Sequence, residues 1–257
     1  MTILDEIVAA ARVRVEREKT VISKAVLPER RRPAFAFEAV LRQPGMSFIC
    51  EVKKASPSKG LIAPDFPYLE IAGDYEAAGA AAISVLTEPD YFQGEDRYLA
   101  EIREQVDIPL LRKDFIIDPC QIRQAACLGA DAILLICSVL KQEELAAYLE
   151  YAGELGLSCL TEVHDEEELA GALEAGARII GVNNRDLKTF TVDPGRSIRL
   201  RHLVPPDILF VSESGIYTPE DVRLLEENVV DAVLVGEALM RAPDRRACLR
   251  ALKGAVS

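Results

Sequence analysis

The sequence has little to offer a metal ion. Only two histidines occur, His164 and His202, and they lack ligand spacing. Both read as surface or loop residues. The six cysteines include no C-x-x-C pair. Cys50, Cys137 and Cys159 fall in apolar strand-like runs; Cys120, Cys127 and Cys248 fall in helix-like ones. They read as buried free thiols rather than disulfides or a zinc site. Long apolar runs are also missing. The longest, AILLIC at 132–137, is far short of the ~20 residues that a bilayer-spanning helix needs. Asp5, Glu6, Arg12, Arg14, Glu16 and Arg17 interrupt the opening segment, which therefore reads as no signal peptide. A cytoplasmic location and no membrane partner are expected. Positive charge is scarce, with 30 Lys+Arg against 42 Asp+Glu and a net charge of −12. That excludes nonspecific nucleic-acid binding, which needs a cationic surface. An anionic ligand would need a local cationic or backbone N–H site to overcome this field. No G-x-G-x-x-G follows an early strand, which disfavours a doubly wound dinucleotide-binding sheet.

What is present is a repeat. AGAAAISVLT (78–87), LGADAILLIC (128–137) and AGARIIGVNN (175–184) each close a helix with glycine, pass alanine and enter a strand. VVDAVLVGE (229–237) is a degenerate copy. Between the copies lie IPLLRKDF (108–115), LSCLTEVH (157–164) and DILFVSES (207–214). With SFICEVK at 47–53 they make eight strand candidates. Helical patterns separate them, over 68–78, 95–105, 118–128, 141–155, 165–175, 194–203, 218–228 and 243–253. Asp165 and Thr218 have N-cap positions, and Pro219 stands first in its helix. Eight βα units within 257 residues predict an α/β fold, a (β/α)₈ TIM barrel, as one domain over 1–257. Residues 1–46 form an N-terminal helical extension, with a helix over 2–25 striped by Leu4, Val8, Ala11 and Val15 and a short one over 35–42. It should pack on the outside of the barrel or over one end. The basic run Arg30–Arg32 reads as a solvated turn.

In such barrels the site lies at the C-terminal ends of the strands. Those ends read Glu51 and Lys53, Lys113, Glu162, Asn183, and Glu213. Polar residues ending five of eight apolar strands at one rim point to a site. Carboxylates and lysines held close shift one another's proton affinities, which suits a paired acid and base. Ser214-Gly215 and Gly236 follow the last two strands, where barrels often bind phosphate through backbone N–H groups. EALM (237–240) is a candidate short helix beside them. Phe92 and Phe115 flank the same mouth and could sandwich an aromatic ring or merely pack the loops. The loop 54–67, with Ser56, Ser58 and three prolines, is long enough to act as a lid.

FICEVKKASPSKG (48–60), VLTEPDYFQG (85–94), LLRKDFIIDP (110–119), LTEVHDEEEL (160–169), IIGVNNRDLKTF (179–190), VSESGI (211–216) and VLVGEALM (233–240) together resemble the indole-3-glycerol-phosphate synthase family. The similarity spans the whole barrel, and the leader resembles that family's extra N-terminal helices. It implies ring closure, decarboxylation and dehydration of 1-(2-carboxyphenylamino)-1-deoxyribulose 5-phosphate, with no cofactor or metal. It also implies a monomer, able to associate with other enzymes of the tryptophan pathway. Lys113 would be the general acid for ring closure. Lys53, Glu162 and Glu51 would share the proton transfers of dehydration. Ser56, Asn183 and Arg185 would position the substrate, and Glu213 the lysines or a hydroxyl. Ser214, Gly215, Gly236 and Lys53 would bind phosphate. Where some relatives have serine after the last glycine, this chain has Glu237, which should turn outwards. A phosphosugar isomerase or a Schiff-base aldolase on the same barrel is the alternative.

Overall fold

The computed structural model describes residues 2–186 and 189–254. Leu187 and Lys188 of the 179–190 motif, Met1 and residues 255–257 lie outside the described residues. Eight parallel strands close into a barrel: β1 (Ser47–Val52), β2 (Ala82–Leu86), β3 (Leu110–Lys113), β4 (Ala132–Ile136), β5 (Ser158–Val163), β6 (Ile179–Asn183), β7 (Leu209–Glu213) and β8 (Ala232–Val235). Each pairs with its chain neighbours, and β1 closes the ring against β8. This is the (β/α)₈ TIM barrel expected from the repeat.

Strand side chains alternate between two layers. Inside the barrel, Ile49, Leu111, Leu134, Leu160, Val211 and Leu234 fill the lower and middle levels. Outside, Cys50, Val52, Ile83, Val85, Ile133, Leu135 and Val233 join the helices in the larger core. The helices start where capping side chains satisfy their free N–H groups. Thr2 and Asp5 cap reciprocally, as do Thr218 and Asp221 with Pro219 in the first turn. All eight helices expected between and after the strands form, each bound within two residues of the expected one.

The N-terminal extension covers both ends of the barrel. Helix α1 (Ile3–Lys24) brings Ile3, Leu4 and Ile7 to the cleft at the C-terminal mouth. Its buried face is Ile7, Ala11, Arg14, Val15 and Ile22, so the apolar stripe is rotated from the one expected and includes an arginine. The chain then descends the barrel wall. Arg30 donates to Leu155 O at 2.8 Å and Arg31 to Arg103 O at 2.8 Å, while Arg32 pairs with Asp131 at 3.6 Å. The basic run is thus a set of anchors, not a free solvated turn. Helix α2 (Ala36–Leu41) ends below the barrel, where Phe37 and Leu41 join the interior cluster.

Candidate active site

Strand parity builds the site. Alternation puts Glu51 on the same inner row as Ile49, Glu162 on that of Leu160, and Glu213 on that of Val211. In register, Ile136 pairs with Glu162, and Asn183 with Glu213. Glu51, Glu162 and Glu213 are 4%, 2% and 2% exposed, so each charge depends on its partners. Lys113 Nζ stands 3.4 Å from Glu162 Oε2 and 3.6 Å from Glu213 Oε2. Lys53 pairs with Glu51 on the opposite side. A Cβ on Gly236 would overlap Glu51 and come within 3.1 Å of Lys53 Nζ. Only glycine leaves room there for both side chains.

The charges settle each other. Burial pulls the Lys113 ammonium down, but Glu162, Glu213 and Glu51 outweigh it and hold it above its ordinary range. Burial raises Glu162, yet Lys113 and His164 overcome that and leave it low, so it is ionised at neutral pH. Burial raises Glu213; Lys113 opposes the rise, Glu162 and Glu51 add to it, and its carboxyl stays above the usual carboxylate range. Two carboxylates sharing one lysine have been driven apart, one to the ionised state and one towards the neutral.

Above this ring lies the cleft, about 1180 Å³ counting its open mouth. Phe92 and Phe115 face it with ring centroids 6.1 Å apart. Phe92 ends a short helix, Pro89–Phe92, whose N–H groups at Asp90, Tyr91 and Phe92 all donate to the fully buried Glu88 carboxylate. Arg14 of α1 reaches between the two aromatic loops, 3.4 Å from Glu88 and 3.0 Å from Asp114.

At the other side, Ser214 and Gly215 take consecutive left-handed conformations, φ +67° and +83°. The turn tucks Gly215 against Val192, whose Cγ1 would lie 2.6 Å from an added Cβ. Ser214 Oγ donates to Asn183 Oδ1 at 3.0 Å, which also accepts the Arg185 N–H at 3.1 Å. Gly236 leads into the short helix Glu237–Arg241. Glu237 does not turn out to solvent. It borders the cleft and is held by Lys59 at 3.2 Å, Tyr217 at 3.2 Å, Arg241 at 3.3 Å and Arg185 at 3.7 Å. Cations on three sides hold its carboxylate where solvation alone would not. The loop after β1 is likewise structured: Ala55–Ser56 and Gly60–Leu61 form a small antiparallel ribbon. It presents Ser56, with Ser58 Oγ 3.5 Å away, and sends Lys59 to Glu237.

Every site residue expected from the sequence borders this one cleft. Three neighbours were not foreseen: Arg14, Lys59 and His164. His164 lies in the bend after β5 as a loop residue, but its side chain is not free at the surface. Its ring stands between Glu162 and Glu168, at 3.4 and 3.0 Å. The signal was its spacing, since a residue two beyond Glu162 shares its face. The thiols are free as expected, but only Cys50 and Cys159 are buried.

The indole-3-glycerol phosphate synthase family model matches residues 4–252. The indole-3-glycerol phosphate synthase of Ruminiclostridium cellulolyticum is 54% identical over 257 residues, covering 98% of this chain and 99% of its own. That of Endomicrobium trichonymphae is 56% identical over 256 residues, with 98% and 99% covered. Among solved structures, 3-hexulose-6-phosphate synthase from Salmonella typhimurium superposes with a TM-score of 0.67 at 16% identity, covering 82% of this chain and 98% of that one. At that identity the likeness is one of fold.

Proposed function

The chain belongs to the indole-3-glycerol phosphate synthase family, and on that premise we propose how its own residues divide the reaction. The substrate, 1-(2-carboxyphenylamino)-1-deoxyribulose 5-phosphate, closes a pyrrole ring and loses CO₂ and water. The aromatic ring lies along Phe92 and Phe115. The phosphate lies at the N–H groups of Ser214, Gly215 and Gly236, within reach of Lys53. These two anchors set the ribulose carbonyl over Lys113.

Lys113 protonates the carbonyl oxygen as the carboxylated ring carbon attacks. The observation that carries this role is its contact with two buried carboxylates, which keep the amine protonated. A protonated lysine is an acid and no nucleophile, which disfavours the Schiff-base alternative. Loss of CO₂ then returns the electrons to the aromatic ring. In the dehydration, Glu162 takes the ring proton, because it is ionised while Glu51 is tied to Lys53. Lys53 protonates the departing hydroxyl. Ser56, Asn183 and Arg185 position the substrate's polar groups, and Glu213 orients Lys113.

The mouth is completed by α1 of the same chain, so no second copy is needed. We propose a monomer, which light scattering would report as about 28.2 kDa. The decisive assay follows product fluorescence from the carboxyphenylamino sugar. Lys113→Ala and Glu162→Gln should each slow turnover by ~10²-fold or more while the protein stays folded. Near-normal rates in both variants would remove these roles.

A further inference from the structure

His164 stands beside Glu162, just outside the cleft lining, and the reaction scheme leaves it without a task. It follows β5 directly, and its side chain is 16% exposed. Nε2 lies 3.4 Å from Glu162 Oε1, and Nδ1 lies 3.0 Å from Glu168 Oε2. The same Glu168 oxygen accepts the His164 backbone N–H at 2.8 Å, so the ring is fixed at both its root and its edge. A neutral imidazole has one N–H and would turn a lone pair on one of these carboxylates. Only the imidazolium turns an N–H towards each carboxylate: a hydrogen bond to Glu168, and an ion-pair approach to Glu162. The other charged or titratable neighbours are Asp165 on the same turn, Cys137 beyond β4, and Lys113 and Glu213 across the mouth. Burial and the acidic residues around it keep the Cys137 thiol neutral.

Glu162 uses its two oxygens differently. Oε2 faces Lys113, and Oε1 faces His164. A positive ring beside Oε1 attracts that oxygen and favours the carboxylate orientation that leaves Oε2 towards Lys113. We propose that His164, as an imidazolium braced by Glu168, is a positioning residue that keeps Glu162 ionised and aimed at the substrate. The charge state agrees: burial lowers the imidazole, but the two carboxylates outweigh it and raise it to about 10. The inference rests on Glu162 being the base.

The test uses the full-length protein and two variants. In His164→Gln, Glu162 loses a cation. The acid limb of the kcat profile should move up by about a pH unit or more, with KM little changed. Turnover at pH 7 should fall on the order of tenfold, well below the ~10²–10⁴ expected from losing the base. His164→Lys should restore the acid limb, because the cation returns. In Glu168→Gln the ring loses one carboxylate, so activity should acquire a new decline on the alkaline side. The ring itself is read by ¹³C and ¹⁵N NMR, with the His202 signal assigned by His202→Gln. His164 should remain an imidazolium through pH 8. A neutral ring at pH 7, or an unchanged acid limb in folded His164→Gln, overturns the proposal. Full turnover in Glu162→Gln would remove the base and this task together. The NMR titration does not depend on that outcome, so the two failures are distinguishable.

Discussion

Gly181, on the inner row of β6, is the most informative position to perturb. A Cβ built there lies 2.5 Å from Glu213 Oε1, 3.0 Å from Leu160 Cδ1 and 3.3 Å from Leu160 Cγ. Ordinary contact begins at 3.4 Å, so in Gly181→Ala the Glu213 carboxylate must retreat by about 1 Å. The backbone has no objection, because Gly181 is not among the positive-φ residues. Crowding Leu160 should cost ~1–3 kcal/mol. At roughly 2–4 °C per kcal/mol for a chain of this size, Tm should fall by about 2–12 °C. The catalytic effect should be much larger. Glu213 is 3.6 Å from Lys113, and a misplacement of ~1 Å can slow an enzyme by ~10²-fold. The assay is steady-state fluorescence at saturating substrate, paired with thermal unfolding. Adding Gly181→Ala to Glu213→Ala should cost little further turnover, because the carboxylate it displaces is already gone. Additive losses, or a single variant within threefold of the parent, would refute the argument that this glycine exists to house Glu213.

Arg14→Leu leaves Glu88 and Asp114 without their bridge. Both keep other partners, so the loss should sit at the lower end for a broken buried pair, ~3 kcal/mol, or roughly 6–12 °C in Tm, with a raised KM as the aromatic loops loosen. His164 should make stability pH-dependent. Its folded pKa of about 10 exceeds the ordinary 6.5, so its contribution is complete below 6.5 and lost as pH rises through 10. Urea unfolding at several pH values should show a steeper alkaline decline for the parent than for His164→Gln. Glu237→Gln removes one negative charge beside the glycine turns. Inhibition by inorganic phosphate should tighten a few-fold, the scale for one charge in a partly solvated site; weaker inhibition would place the anion elsewhere.

The barrel was legible because three segments share one grammar of glycine-closed helix, alanine and apolar strand, a fourth is a degenerate copy, and apolar runs of similar length lie between them. The rim was legible because Glu51, Lys113, Glu162, Asn183 and Glu213 each end a strand, and parity then turns them inward. Arg14 was hidden for a physical reason. A charged residue in an amphipathic helix ordinarily marks the solvent face, and its partners lie 74 and 100 residues away. Glu237 misled in a similar way. A carboxylate near an anion pocket should face water, unless distant cations meet it, and Lys59 and Arg185 come from other loops. The rotation of the α1 stripe follows from Arg14 too, since burying it brings Ile7 and Ile22 under with it.

Phe37 and Leu41 stopper the barrel from beneath, and the layers above them are filled with aliphatic side chains. The chamber is therefore a cul-de-sac. Carbon dioxide and water formed in the cleft meet no rear exit among the described residues and must leave through the doorway the substrate used. The order in which the three products leave is thus dictated by plumbing as much as by chemistry.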